Sequence, residues 1–106
     1  MIVQHAMLRI RQGSSDKFEA TLRDAIPLIA DSPGFRGIEV RPASETVGFY
    51  LLRVLWDDIA SHRDGFLKSD RFSQWREMLQ PFYDPWPDMS YFSEPLIDIA
   101  GTSTAA

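Results

Sequence analysis

The chain has 106 residues, the usual size of a single domain, with 44% hydrophobic and 25% charged residues. It contains no cysteine, which excludes disulfides, thiolate metal sites and cysteine nucleophiles. A formal net charge of -4 without a basic run argues against nucleic-acid binding. No leader pattern and no membrane-length apolar stretch is found, so we predict a cytoplasmic protein. We expect one domain over residues 1–100 and a disordered tail over 101–106.

The first third of the chain shows a strand pattern followed by a helix pattern. Residues 2–11 are predicted to form a strand, and Ser14 or Ser15 to cap the helix that follows. The apolar side chains of this helix recur at spacings of three and four, which predicts one buried stripe. They are Phe18, Leu22, Ala25, Ile26 and Ile29. Pro27 should kink the last turn because it lacks an amide donor.

Two further strands are predicted at residues 35–41 and 48–56. In the second of them both alternating sets of side chains are apolar apart from Arg53, so neither face should meet water. Helices can cover only one face of the sheet. We therefore predict that a second copy of the chain covers the other face, and hence that the protein is a homodimer.

The remaining elements complete the predicted order β-α-β-β-α-α-β. Asp57 or Asp58 is expected to cap a short helix that ends near Lys68, and a further helix starts at Ser69. Met89–Leu96 is the predicted last strand. With antiparallel pairing, this order suits an α+β ferredoxin-like sandwich.

The segment Pro81–Pro87 has a composition that fits neither solvent nor a central strand. It combines three prolines with three aromatic residues. Proline cannot donate to a sheet ladder, and so many aromatic side chains would not stay in water. We therefore predict an arm laid over a neighbouring copy.

His62 is the histidine with the clearer chemical potential. It shares the apolar stripe of its helix with Ile59 and Phe66, so it should point towards the sheet. It is either a core histidine bonded to a backbone carbonyl or a proton acceptor in an apolar pocket. Asp58, one turn earlier, can pair with it. No third ligand accompanies these two, so we predict no metal site, and His5 is expected to be structural, at the dimer contact.

Aromatic side chains are concentrated in the second half of the chain. They are Phe66, Phe72, Trp75, Phe82, Tyr91 and Phe92, with Met78 and Met89 nearby. They form either an ordinary core or the walls of a pocket for a flat hydrophobic molecule. The pattern leaves both interpretations open.

Several of these motifs together resemble the antibiotic biosynthesis monooxygenase superfamily. They are the strand Tyr50–Trp56 ending in tryptophan, the segment Ser61–Trp75 with its histidine and Phe-x-x-Trp motif, and the dipeptide Pro81-Phe82. Gln4-His5-Ala6 and Pro33-Gly34-Phe35 are similar to the openings of that family's first two strands. The resemblance covers about residues 2–96. It implies a dimeric α/β barrel of two ferredoxin-like protomers, each with a pocket between its helices and its sheet.

The superfamily includes oxygenases of polycyclic phenols, heme-degrading enzymes and enzymes of small signalling molecules. The heme-degrading members use an asparagine on the first strand and a tryptophan and histidine on later helices. Those places fall near Ala6, Phe66 and Arg76, and this chain contains no asparagine. Heme degradation is therefore not expected.

The resemblance implies a cofactor-independent monooxygenase that oxidises an aromatic or phenolic small molecule with dioxygen. We assign His62 as the base and Tyr91 and Arg53 as donors to developing oxyanion charge. Relatives often carry histidine where this chain has Tyr91, and a tyrosine would act there as a hydrogen-bond donor. Arg53 could equally be a surface arginine. The assigned pocket walls are Phe66, Phe72, Trp75 and Leu79.

Two other functions remain open at this point. A non-catalytic dimer that binds an apolar metabolite needs the same walls but no catalytic histidine. An isomerase-type enzyme acting on a small signalling metabolite would need a smaller, hydrated pocket. Oxygen consumption discriminates the first from an oxygenase, and pocket size discriminates the second.

Overall fold

One antiparallel sheet of four strands organises the chain, and the computed structural model describes residues 1–102. The strands are β1 (Ile2–Arg9), β2 (Phe35–Pro42), β3 (Phe49–Trp56) and β4 (Met89–Phe92). Their order across the sheet is β2-β3-β1-β4, and every neighbouring pair is antiparallel. This topology confirms the predicted α+β ferredoxin-like fold.

Four helical segments connect the strands. They are α1 (Ser15–Ala30), a π-helix (Ser61–Phe66), α2 (Asp70–Leu79) and a short 3₁₀ turn (Gln80–Phe82). In the π-helix the Leu67 N–H bonds to the carbonyl of His62, five residues earlier, at 2.9 Å. The predicted short helix before Lys68 is therefore of the wider π type, and α1 continues past Pro27 to its end.

The core lies between the helices and the inner face of the sheet. Alternate residues of a strand point to opposite faces, so one set of side chains from β1 and one from β3 face the helices. Seven of these inward side chains are buried: Gln4, Ala6, Leu8, Tyr50, Leu52, Val54 and Trp56. Phe18, Ala25 and Ile29 of α1 pack on them and are also buried. The stripe predicted for α1 is thus confirmed.

Within residues 1–102, no helix packs on the outer face of the sheet. Its side chains are mostly apolar and are half-buried or exposed in the single chain: Val3, Met7, Phe49, Leu51, Leu55 and Phe92. A polar row crosses the four strands on the same face. Strand register places Ser90, His5, Arg53 and Glu39 side by side in that row.

Two of the predicted helix caps are confirmed and one is not. Asp58 Oδ1 accepts hydrogen bonds from the backbone N–H and the hydroxyl of Ser61, both at 2.8 Å. Ser69 Oγ accepts from the Phe72 N–H at 3.3 Å at the start of α2. Ser14 precedes α1, but its side chain makes no capping bond.

Two strands, β1 and β4, are shorter at their C-terminal ends than predicted. β1 ends at Arg9, two residues earlier than expected, and β4 ends at Phe92 rather than at Leu96. Residues 93–102 form neither helix nor strand. Of the predicted tail, residues 103–106 lie outside the part that the structure describes.

The segment Pro81–Pro87 is bonded to its own chain, and its predicted contact with a neighbouring copy stays a prediction. The Arg11 N–H donates to the Phe82 carbonyl and the Asp84 N–H to the Arg9 carbonyl, both at 2.8 Å. Tyr83 between them is 6% exposed and contacts the ring of Phe18. The aromatic residues of this segment thus cover the chain's own core. None of the helices within residues 1–102 is long and apolar enough to cross a membrane.

Candidate active site

His62 and Tyr91 form the polar centre of the site. The π-helix holds His62 inside the core, where it is 2% exposed. Its Nδ1 lies 2.6 Å from the hydroxyl of Tyr91, which reaches it from β4. The guanidinium of Arg63 lies 5.3 Å from the centre of the Tyr91 ring and covers it. The structure therefore brings together two of the three predicted polar site residues.

The burial of His62 sets its protonation state. Burial, and to a smaller extent the neighbouring charge of Arg63, lowers its pKa from 6.5 to about 4. The imidazole is therefore neutral at physiological pH. When Nδ1–H donates to the Tyr91 oxygen, Nε2 carries the lone pair and can accept a proton.

Asp58 does not pair with His62, contrary to the prediction. Both of its bonds go to Ser61, and these bonds lower the pKa of the Asp58 carboxyl. The Asp58 carboxylate is thus held by Ser61, the first residue of the π-helix. Tyr91 therefore holds His62 in place of a carboxylate, so no buried anion favours the imidazolium form.

Aromatic side chains surround the imidazole. Trp56 lies 5.4 Å and Phe66 lies 6.3 Å from His62, measured between ring centres. Phe66 in turn makes edge-to-face contacts with Phe72 and Trp75, at 5.5 and 6.0 Å. Three of the four predicted wall residues thus form one cluster beside His62.

An enclosed cavity of about 20 Å³ lies against this cluster. Its walls include His62, Phe66, Phe72 and Trp75, whereas Leu79 is fully buried in the core and does not reach it. A cavity needs about 10–15 Å³ to hold one water molecule, so this space fits a single small molecule and not an aromatic ring. The pocket for a flat hydrophobic molecule that was predicted between the helices and the sheet is therefore nearly filled in the structure.

One side of the cavity is formed by the segment after α2. Tyr83, Trp86, Pro87 and Met89 all line it, and residues 84–88 belong to no helix or strand. The ring of Trp86 contacts that of Tyr83 at 5.1 Å but remains 41% exposed. This wall has fewer backbone bonds to hold it than the helices and strands opposite.

Arg53 lies apart from the other predicted site residues. It is on the outer face of the sheet, where its Nη1 is 3.6 Å from Glu39 Oε1. His62 and Tyr91 belong to the helix side. Within a single chain, Arg53 does not reach the imidazole because the sheet separates them.

Gln4 is a site residue that the sequence reasoning did not identify. It is 3% exposed and lines the same cavity as His62. Its Oε1 accepts a hydrogen bond from the Trp56 indole N–H at 2.9 Å. The available signal was its position in the inward set of β1, with Ala6 and Leu8, because a glutamine among apolar core positions requires a partner.

A larger open groove lies between α1 and β2, away from His62. It has a volume of about 440 Å³ and an apolar floor that includes Leu22, Ile26 and Val40. The Tyr50 hydroxyl donates to Glu19 Oε2 at 2.7 Å on its wall, and burial raises the pKa of Tyr50. No histidine lines this groove. Within residues 1–102 there is no cluster of three or more histidine, cysteine or acidic residues that could hold a metal ion.

Acid is expected to destabilise the protein through His62. Its pKa is about 4 in the folded chain and 6.5 as a free side chain, so the unfolded state binds more protons between these values. Stability must then fall as the pH falls. From about pH 7.5 to about pH 5, His62 alone should remove about 2 kcal/mol from the free energy of unfolding, measured by urea denaturation.

Two variants isolate this contribution. Exchanging both members of the pair, in a His62→Phe and Tyr91→Phe double variant, should remove it without leaving an unpaired hydroxyl. His5→Gln removes the other histidine and should leave the contribution of His62 unchanged. Equal pH slopes for the wild type and the double variant would contradict the burial argument.

Comparison with known proteins identifies related sequences. A family model described as antibiotic biosynthesis monooxygenase matches residues 1–78. The uncharacterised protein YczJ of Bacillus subtilis (strain 168) is 32% identical over 94 residues. That match covers 89% of this chain and 99% of YczJ.

Solved structures share the fold over nearly their whole length. A candidate antibiotic biosynthesis monooxygenase from Bordetella bronchiseptica superimposes with a TM-score of 0.82 at 27% identity, covering 90% of this chain and 97% of that one. SnoaB from Streptomyces nogalater, a cofactor-independent oxygenase, has a TM-score of 0.79 at 16% identity, covering 91% and 94%. An identity of 16% shows that SnoaB and this chain share a fold and shows nothing more.

Proposed function

Because this chain belongs to the antibiotic biosynthesis monooxygenase family, we propose that it oxidises an electron-rich phenol or anthrone with dioxygen and without a cofactor. The observation that carries the proposal is a neutral, buried His62, held by Tyr91 in an aromatic surrounding. SnoaB, with the same fold, is a cofactor-independent oxygenase.

The chemistry needs an electron-rich substrate because dioxygen is a triplet and reacts slowly with singlet molecules. A phenol or anthrone that has lost a proton can itself donate the first electron, so the substrate does what a cofactor does elsewhere. An anthrone CH₂ carbon becomes a carbonyl, one oxygen atom enters the product, and the other leaves as water. The substrate supplies all four electrons.

The chain's part in this reaction is proton removal in a site closed to water. His62 Nε2 takes the substrate proton, while the bond to Tyr91 holds the ring in place. The resulting imidazolium lies beside the substrate anion. In a site with so little water, the attraction between these two charges raises the pKa of His62. This offsets much of the lowering that burial causes.

A ring can enter only when the cavity widens. We assign the movement to residues 84–88, because they cover the cavity outside the helices and the sheet. Outward displacement of Trp86 and Pro87 makes room next to His62.

Oxygen uptake with anthrone and 1-naphthol tests the proposal. The wild type should consume oxygen faster than buffer, and His62→Ala should be slower by about 100-fold or more. Tyr91→Phe should lose less, because it removes the positioning bond and keeps the base. Lys17→Ala, on the exposed side of α1, is the matched control and should retain full activity.

Other outcomes select other functions. Tight anthrone binding without oxygen uptake would support the non-catalytic binder. No uptake with any electron-rich aromatic compound would overturn the oxygenase proposal. Equal rates for the wild type and His62→Ala would remove only the role of His62.

We also propose that a second copy of the chain covers the outer face of the sheet. Six apolar side chains lie there uncovered, and the polar row among them contains both a cation and an anion, Arg53 and Glu39. In a two-fold pairing, each copy's Arg53 can meet the other's Glu39, so the row is self-complementary.

Light scattering at micromolar concentration tests this assembly. The wild type should be a dimer, and Leu51→Asp should weaken it by about 100-fold or more because it places a charge in the interface. Val47→Asp is the control, since Val47 is equally apolar but 94% exposed in a turn away from the sheet. A monomeric wild type would overturn the proposal.

A further inference from the structure

Gln4 is a buried polar side chain beside the cavity. Within residues 1–102 the buried polar side chains are Gln4, Ser32 and His62, and two of these three line the cavity. Gln4 lies on β1 directly opposite Tyr91 of β4, whose hydroxyl contacts His62. The amide, the imidazole and the phenol therefore lie near one end of the same strand pair.

The orientation of the Gln4 amide follows from its partner. The indole nitrogen of Trp56 can only donate, so the atom 2.9 Å from it must be the amide oxygen. The amide nitrogen, with two N–H groups, is then directed away from Trp56. It lies 2.8 Å from the sulfur of Met89 and donates to it.

This arrangement leaves the amide nitrogen poorly satisfied by the protein. A thioether is a weak acceptor, and it can take at most one of the two N–H groups. A buried donor without an acceptor is destabilising. If the only role of Gln4 were to accept the bond from Trp56, its second N–H would add nothing to the stability of the fold. The cavity that Gln4 and His62 share is where an acceptor atom of a ligand can lie.

We propose that Gln4 binds the oxygen atom of the substrate, and that Trp56 positions the amide for this bond. The inference rests on the proposed function and adds its specificity: the substrate must carry a phenol or ketone oxygen. When His62 removes a proton, negative charge develops on that oxygen. The bond from Gln4 Nε2–H then becomes charge-assisted and stronger.

The test compares two probes that differ by one hydroxyl group. Binding of 1-naphthol and of naphthalene is measured without oxygen, by tryptophan fluorescence. The wild type should bind 1-naphthol at least about 10-fold more tightly than naphthalene. Gln4→Met, which keeps the length and loses the donors, should reduce this ratio several-fold, and the acceptor His62 accounts for the preference that remains. A purely structural role of Gln4 would weaken both probes equally.

A second variant keeps the inference testable if Gln4→Met does not fold. Gln4→Glu keeps an acceptor for the Trp56 N–H but lacks the N–H donors, so it should also reduce the preference for 1-naphthol. Trp56→Phe should lose part of it, because the amide is then free to rotate.

The outcomes separate this inference from the proposed function. An unchanged preference in Gln4→Met or Gln4→Glu overturns the role of Gln4, whatever the oxygenase activity. Failure of the wild type to prefer 1-naphthol overturns it as well. A preference that depends on Gln4, without any oxygen uptake, supports the binding role and overturns only the oxygenase proposal.

Discussion

Phe66→Ala is expected to lower the free energy of unfolding by about 4 kcal/mol, as is typical for a buried phenylalanine that leaves a cavity. Phe66 is 2% exposed and contacts the rings of Trp56, Phe72 and Trp75. These neighbours belong to β3 and α2, whose backbones are held by their own hydrogen bonds, so none can move in to fill the space. Urea denaturation at neutral pH measures the loss.

The new space should join the existing cavity and bind an apolar ring. Benzene should therefore raise the melting temperature of Phe66→Ala more than that of the wild type, whose cavity must first widen. Phe72→Ala is the matched control: Phe72 is only half-buried, and its removal should cost about half as much. Equal losses for the two variants would contradict the assignment of Phe66 as the inner wall.

Gly34→Ala is expected to cost about 3 kcal/mol. Gly34 has a φ of +83°, a conformation that side chains rarely adopt, in the turn that leads into β2. A Cβ atom there would also overlap the side chain of Ser61, which is bonded to Asp58 at the start of the π-helix. The substitution therefore strains the turn and displaces the segment that carries His62.

Gly13→Ala separates the two contributions. Gly13 has nearly the same φ, +78°, but an added Cβ would meet nothing within 4 Å. Its cost should be about 1 kcal/mol, from the backbone conformation alone. A similar loss at both glycines, measured by urea denaturation, would show that the contact with Ser61 does not matter.

The local patterns of the chain were good predictors of its elements. The alternation in Tyr50–Trp56 and the three-and-four spacing from Phe18 to Ile29 are set by residues close in sequence, and the structure confirms both. Boundaries were less accurate where strands end against loops. The prediction of β4 was too long because Leu96 is as apolar as a strand residue, although no neighbouring strand pairs with it.

The polar contacts of the site were harder to predict because they join distant parts of the chain. Asp58 was an available local partner for His62, yet the bond is made by Tyr91, 29 residues further on. Gln4 and Trp56 are separated by 52 residues, so their bond has no local signal. The sequence also did not show where Arg53 lies relative to His62. Its place in the alternation of β3 assigns it to one face of the sheet, and only the strand pairing shows that this face lies away from His62.

By itself the sequence determined the order of strands and helices, the buried stripe of α1 and the presence of aromatic residues around His62. These follow from side-chain periodicity, which depends only on neighbouring residues. The tertiary structure alone decided that Tyr91 holds His62, that Gln4 faces the cavity, and that Pro81–Pro87 closes over its own chain. Such contacts depend on how the strands pair and how closely the helices pack on them, and no short stretch of sequence contains that information.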